Sequence, residues 1–307
     1  MSSQPLPTPE PVAPSESAEG SLPPSRRPHP TAQLGSGPRL LDQVVVLTGA
    51  AGNIGSFIAR QLLREGAKLV MTGRSQEKLE TFVDALVSEG FERDRMLPVA
   101  ADAADPEACR RVVTSAVERF GPIDALLNNA GAAGPKMTLE NIPFTEAETR
   151  ETGQNETMLD AAKNLLGGPW NMVRAAVPHL AVGASIVNVS TIFSRTPYYG
   201  RIPYVVPKSG LNALSLGLAR ELGLTDKGIR VNTVFPGPIE SERIETVFAA
   251  MDKLQEQPAG STAKMFKELM ILKRPTPPAP AGTQKPTPVA TDGGNGSAGA
   301  GDEVKFR

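Results

Sequence analysis

Short apolar runs alternate with amphipathic stretches through the middle of the chain. The run "QVVVLT" at 43–48 leads through glycines into "SFIARQLLREG", where apolar residues recur at helical spacing. "AKLVMTGR" at 67–74 predicts a second buried strand, and "SQEKLETFVDALVSEG" at 75–90 a helix capped by Ser75, with Glu77, Lys78 and Glu80 in its first turns. "MLPVAAD" at 96–102 predicts a third strand, and "PEACRRVVTSAVERFG" at 106–121 a helix with proline at its start. "IDALLNNAG" at 123–131 is the fourth strand with its following loop. A helix over about 156–181, "SIVNVST" at 185–191, a helix over about 205–222 and "IRVNTVFPGP" at 229–238 continue the alternation. Wholly apolar strands separated by amphipathic helices predict an α/β protein with a doubly wound parallel sheet, covered on both faces. Ligands of such sheets bind beyond the carboxyl ends of the strands, so the loops after the strands are the places to look for function.

The ends of the chain lack this pattern. Residues 1–38 are rich in Pro and Ser, and 274–307 in Pro, Gly and Ala. Neither can bury enough apolar surface to offset the entropy of ordering it, so both read as disordered tails or linkers around one domain at 39–273. A 40% hydrophobic, 21% charged composition supports one good-sized core. A net charge of −1 gives no bulk attraction to nucleic acid or an anionic membrane. One cysteine, Cys109, and two histidines argue against a disulfide framework and a zinc site. No apolar run reaches the length of a membrane span, and the N-terminus has no apolar signal core, so a cytoplasmic protein is expected.

The first strand–turn–helix reads "TGAAGNIG", with glycines at 49, 52 and 55. Gly49 would allow a tight turn, Gly52 a close approach of backbone to a pyrophosphate, and Gly55 close packing of the helix. The free N–H groups of the helix start favour a phosphate. By itself such a turn is weak evidence for a dinucleotide. A site for NAD usually offers an acid about 20 residues on. Here "MTGRS" offers Arg74 instead, which suits a 2′-phosphate in charge and forked geometry and points to NADPH. The competing reading of Arg74 is a solvated surface arginine. Asp102 is placed to accept from an adenine amino group, and Asn128 and Asn129 to tie strand ends together.

All three tyrosines lie in "YYGRIPYVVPK" at 198–208. Tyr204 and Lys208 are four apart and share a helix face. A phenol loses its proton only near pH ~10 in water, and a nearby ammonium stabilises the phenolate. Thr191 and its neighbour Ser190 supply hydroxyls able to polarise a carbonyl. A helix beginning near Tyr204 would place Pro207 in its first turn, where a missing N–H matters little.

In order, "TGAAGNIG", "NNAG", "NVST", "YVVPK" and "RVNTVFPGP" resemble the short-chain dehydrogenase/reductase family across nearly all of 40–242. The resemblance implies a Rossmann fold and a Ser/Thr–Tyr–Lys group assisted by an asparagine. Tyr204 then matches the acid/base tyrosine, and Lys208 the lysine that also holds the nicotinamide ribose. Thr191, 13 residues before Tyr204, matches the hydroxyl residue, with Ser190 its rival. Asn164 matches the asparagine behind a proton-relay water. Cofactor contacts are expected from Thr48, Gly49, Gly52, Asn53, Ile54, Gly55, Arg74, Asp102, Asn129, Lys208, Pro236 and Gly237. Asn53 stands where the family commonly has glycine, and asparagine tolerates left-handed geometry.

"GAAGNIGS", "NVSTIFSR", "YYGRIPYV" and "FPGPIESERI" are similar to the N-terminal reductase part of the bifunctional malonyl-CoA reductases. That resemblance implies NADPH-dependent reduction of malonate semialdehyde to 3-hydroxypropionate, and self-association of the complete protein. An anionic substrate needs a cation, expected from Arg201 or Arg195, with Arg243 also bordering the pocket. The alternatives are a general 3-oxoacyl or alcohol reductase, or an inactive nucleotide-binding fragment. Residues 239–274 can supply lid helices. No apolar strand follows Arg274, so the chain reads as a fragment lacking the last strand of the family, with an uncovered sixth-strand edge.

Overall fold

The computed structural model describes residues 37–131, 134, 136–143, 145, 148 and 157–269. Both predicted tails beyond these bounds, the stretch after Arg274 in which no last strand is expected, and much of the segment between Gly131 and Thr157 lie outside the described residues. The chain divides into two compact units, Met1–Phe266 and Lys267–Arg307. Of the second, only the helical Lys267–Leu269 is described.

The first unit is built on six parallel strands: β1 (Val44–Thr48), β2 (Lys68–Gly73), β3 (Met96–Ala100), β4 (Ile123–Asn128), β5 (Leu180–Val189) and β6 (Arg230–Val234), in the order β3-β2-β1-β4-β5-β6. The order reverses between β1 and β4, and a crevice opens there at the strand ends. Alternate residues of the strands feed two cores. On one face Val45, Leu47, Leu69 and Met71 pack on α1 (Asn53–Arg64) and α2 (Gln76–Ser88). On the other, Val44, Val46, Leu126 and Ile186 pack on α3 (Pro106–Phe120) and on helices of the second half. This is a Rossmann-like α/β fold, as the alternating pattern predicts. Ser75 caps α2 as expected, its hydroxyl accepting from the Lys78 N–H at 3.2 Å.

Three boundaries differ from expectation. The helix predicted over 156–181 is α4 (Met158–Ala162), a wide π-turn (Lys163–Gly167) and α5 (Gly168–Ala176) in succession. Pro169 has no N–H for the carbonyl one turn back, and the two preceding glycines let the backbone widen. β5 starts at Leu180, five residues earlier than the apolar run suggests, because Leu180 pairs with Ile123. The helix predicted from about 205 starts earlier, as α6 (Ile202–Gly223). Pro203, not Pro207, occupies its first turn. Pro207 lies in the helix interior, where the Pro203 carbonyl loses its donor. After β6 come α7 (Glu242–Leu254) and α8 (Ser261–Leu269). Asp252, 3% exposed, accepts from the N–H groups of Gly260 at 2.7 Å and Thr262 at 2.8 Å, tying α7 to the start of α8. Hydrogen bonding from Thr262 first, and then from Gly260, holds its carboxyl below the usual carboxylate range against the opposing effect of burial. No helix among the described residues is long and apolar enough to cross a membrane.

Candidate active site

Two cavities lie along the crevice at the strand ends. The first, of about 240 Å³, is walled by the glycine turn, the end of β5, α6 and the segment from Pro236 to Val247. The second, of about 230 Å³, lies over β2 and β3. Gly49, Ala130 and Gly131 line both, so the two form one trough.

Gly49 leaves β1 with φ 67°, and its N–H donates to the Thr72 carbonyl at 2.7 Å. A Cβ there would sit 2.9 Å from the Ala130 Cα. A Cβ on Gly55 would overlap the Gly49 carbonyl oxygen outright. Gly52, Asn53, Ile54 and Gly55 line the first cavity, and no side chain caps the start of α1, so its first N–H groups stay available to an anion. Asn53 is the first residue of α1 and is not among the residues with positive φ. The turn therefore places no left-handed demand on that position, contrary to the reason given for tolerating asparagine.

Thr48 does not reach the trough. It is buried, and its Oγ1 accepts from the N–H groups of Asn129 at 3.0 Å and Ala130 at 2.9 Å. The Asn129 side chain lines the first cavity while donating to the Thr48 carbonyl at 3.0 Å. The pair is a strut between the ends of β1 and β4. A second tie lies deeper: Asn128 Nδ2 donates to Asn188 Oδ1, and Asn188 Nδ2 to Ser215 Oγ, each at 2.8 Å.

Arg74 and Asp102 line the second cavity. Among the described residues no carboxylate pairs with Arg74, whereas Asp102 Oδ1 accepts from the Ala104 N–H at 2.9 Å. Asn164 also lines this cavity, on the π-turn, while its neighbour Leu165 packs on Gly131.

Thr191, Ser190, Tyr204 and Lys208 converge on the first cavity. Lys208, 4% exposed, donates from Nζ to the Val189 carbonyl at 2.6 Å. Gly131 faces this Nζ, and a Cβ there would lie 3.6 Å from it. Ser190 Oγ donates to the Lys208 carbonyl at 3.2 Å, which commits its proton. Thr191 Oγ1 accepts from the Phe193 N–H at 3.3 Å, which leaves its own proton for a ligand oxygen. Thr191, rather than Ser190, is thus placed to donate into the cavity. Pro236 and Gly237 line the same wall, and the Pro236 carbonyl accepts from the Ile192 N–H at 3.1 Å.

The arginines separate. Arg201 caps α6, is 3% exposed, lines the cavity, and sets its guanidinium carbon 4.7 Å from the Tyr204 ring centre. Arg195 is not brought to the cavity: it is exposed and lies on the Phe235 ring at 4.4 Å. Arg243 falls in the first turn of α7, and its side chain lies outside what the structure describes. Among the described lining residues of the first cavity, Arg201 and Lys208 are cations and none is an acid.

Other residues at the site were not picked out from the sequence. Ile239, Ser241, Ile244 and Val247 line the cavity from the segment that ends in α7, and Phe193 from the loop after β5. The spacing of Ile244 and Val247 is a helical apolar face, the one sequence signal that finds them. Phe193 belongs to an aromatic cluster with Tyr198, Phe248 and Phe266, the last two stacked with ring centres 5.2 Å apart.

The family model "short chain dehydrogenase" matches residues 43–252. Among characterised relatives, the 1,6-dihydroxycyclohexa-2,4-diene-1-carboxylate dehydrogenase of Pseudomonas putida is 34% identical, over 66% of this chain and 69% of the relative. A 3-oxoacyl-[acyl-carrier-protein] reductase of Staphylococcus aureus is 31% identical, over 69% of this chain and 79% of its own length. Among solved structures, the N-domain of a bacterial malonyl-CoA reductase with NADP is 50% identical with a TM-score of 0.72, covering 78% of this chain. The match spans 44% of that solved chain. Actinorhodin polyketide ketoreductase with NADPH matches at 25% identity and a TM-score of 0.64, over 74% of this chain and 82% of its own. The sequence order, the sheet and the trough agree with these likenesses, and the chain belongs to the short-chain dehydrogenase family.

Proposed function

We propose that this chain is an NADPH-dependent reductase of a short aldehyde acid, malonate semialdehyde, giving 3-hydroxypropionate. The observation that carries the choice of an acid is Arg201, buried in the wall of the cavity that also presents Tyr204, Lys208 and Thr191. The 50% identity to the malonyl-CoA reductase N-domain supports the same reading.

The trough fits the cofactor. The uncapped start of α1 and the glycine cradle suit a pyrophosphate, and Arg74, with no carboxylate partner among the described residues, suits a 2′-phosphate. Gly49, Gly52, Asn53, Ile54 and Gly55 would hold the pyrophosphate side. Asp102 would take the adenine, Asn129, Pro236 and Gly237 the nicotinamide end, and Lys208 the ribose. The chemistry that NADPH supplies when bound is a hydride for the aldehyde carbon. Tyr204 gives its phenolic proton to the aldehyde oxygen as that oxygen gains the electron pair of the broken π bond. Thr191 donates a hydrogen bond to the same oxygen, and Lys208 stabilises the resulting phenolate. Asn164, on the far side of Gly131, holds the water path that returns a proton. Arg201 grips the substrate carboxylate in a paired, charge-assisted contact.

The test compares malonate semialdehyde with a neutral aldehyde of similar size. Arg201→Met should lower kcat/KM for the acid by about tenfold to a hundredfold, the worth of a charged hydrogen bond, and leave the neutral aldehyde little changed. Equal losses on both would remove Arg201 from the role. Tyr204→Phe should abolish turnover while NADPH still binds. A substrate panel including 3-oxoacyl thioesters separates a general short-chain reductase. We also place the protein in the cytoplasm and infer self-association through α6, where Ile202, Val206 and Leu216 stand exposed. Sedimentation of wild type against Leu216→Lys tests that contact.

A further inference from the structure

Thr191 and Tyr204 have to meet one oxygen, yet one ends a strand and the other opens a helix. Two ties between these elements come from site residues themselves: Lys208 Nζ to the Val189 carbonyl and Ser190 Oγ to the Lys208 carbonyl. Two more run from α6 to Ser194, which does not line the cavity. Ser209 Oγ donates to the Ser194 carbonyl at 3.2 Å, and Asn212 Nδ2 donates to Ser194 Oγ at 2.9 Å. Ser194 Oγ in turn donates to the Thr191 carbonyl at 2.7 Å. Asn212 therefore reaches the backbone of Thr191 through a single hydroxyl, from a point two turns along α6 from Tyr204.

Asn212 carries a second sign. Its Oδ1 is buried and has no hydrogen-bond partner among the described residues. An orphaned buried carbonyl is destabilising, and an apolar residue of that size would avoid the loss. Its sequence neighbours Leu211, Ala213 and Leu214 are apolar, while Ser209 and Ser215, one turn to either side, have their own hydrogen-bond partners. A half-satisfied amide in such a place points to a job for its N–H. We propose that Ser194 and Asn212 are positioning residues: they fix the loop after β5 on α6 so that the Thr191 hydroxyl and the Tyr204 phenol address the same atom. This inference rests on the reductase reading above.

Asn212→Leu tests it in the full chain. Hydrogen exchange of peptides covering 190–196 should quicken while peptides from α1 and α2 stay unchanged, and Tm should hold or rise. On an aldehyde that the wild type reduces, kcat should fall by at least about tenfold, since small misplacements of reacting groups carry such losses. NADPH affinity should stay within about twofold of wild type. Should Asn212→Leu fail to fold, Ser194→Ala should give the same signature, and Ser194→Thr, which keeps the hydroxyl, should restore most of kcat. Unchanged exchange at 190–196 overturns the proposal. So does a kcat that falls only in step with Tm, with Ser194→Thr no better than Ser194→Ala. A wild type that binds NADPH but reduces no aldehyde defeats the reductase reading instead, and the exchange experiment still decides on the clasp.

Discussion

Gly55→Ala is a single methyl added where the turn has no room. The new Cβ would overlap the Gly49 carbonyl oxygen and lie 2.9 Å from the Ala50 carbonyl oxygen. The second contact alone is about half an ångström inside an ordinary carbon–oxygen separation, and both neighbours are backbone, which cannot rotate away. Either the first turn of α1 or the 49–52 turn must move. Overpacking of this kind destabilises by about 1–3 kcal/mol, which in a domain of this size lowers Tm by roughly 2–12 °C. The same movement shifts the N–H groups of 53–55 away from the phosphate they would bind, so NADPH affinity should weaken by about tenfold to a hundredfold. The paired control is Gly217→Ala, in the exposed middle of α6, where an added Cβ meets nothing within 4 Å. There alanine should stabilise by up to about 1 kcal/mol through helix propensity and leave NADPH binding alone. Isothermal titration with NADPH and a thermal melt on each variant suffice. A Gly55→Ala protein with wild-type Tm and NADPH affinity would refute the close approach of Gly55 to Gly49 and the phosphate assignment built on it.

Arg74→Met should cut kcat/KM for NADPH by about tenfold to a hundredfold and leave that for NADH nearly unchanged, because only the 2′-phosphate contact is lost; no loss with either cofactor would place Arg74 in solvent, and equal losses with both would place it on a part they share. Burial, with Asp105 and Asp102 nearby, pushes the Cys109 thiol up to about 11, so the native protein at pH 8 should resist thiol reagents that label one cysteine per chain in denaturant; fast native labelling would contradict the packing of α3. The carboxyl of Asp252 is held below its unfolded value of about 3.8, so its contribution is present above about pH 4 and is lost as pH falls through the depressed value. Exchange protection of α8 should therefore drop in acid before that of β1. Asp252→Asn should show the weakened protection already at pH 7, and equal protection in both proteins would remove the carboxylate from that role.

What the sequence made legible is what local chemistry dictates. Short apolar runs set between period-3.6 stretches locate all six strands, and a glycine that needs φ 67° announces the turn after β1. Tyr204 and Lys208 share a face through spacing alone. Other features depend on partners far along the chain. Whether an arginine is buried or splayed on a ring is decided by the elements packed around it, which is why Arg201 and Arg195 look alike in the sequence and differ in the structure. Thr48 reads as a cofactor contact because it adjoins the glycines, yet residues 81 and 82 positions away claim its hydroxyl. The start of α6 was misplaced because two prolines four apart each fit a first turn, and only the pairing of the chain around Arg201 decides between them. Asn212 gives no signal in one dimension.

The capping position of Arg201 makes α6 a gauge. Arg201 precedes Tyr204 by three residues, about 4.5 Å along a helix axis, and Lys208 follows by four more, about 6 Å. For a substrate gripped by its carboxylate, the distance to the proton donor is set by helix pitch and not by a loop. Loop motion cannot reset that interval, because both ends of it ride on one element. Were Arg201 to hold the carboxylate as proposed, a change in the opening turn of α6 would move the anion site and the proton donor together, so chain-length preference could not be altered without touching the helix that carries the phenol.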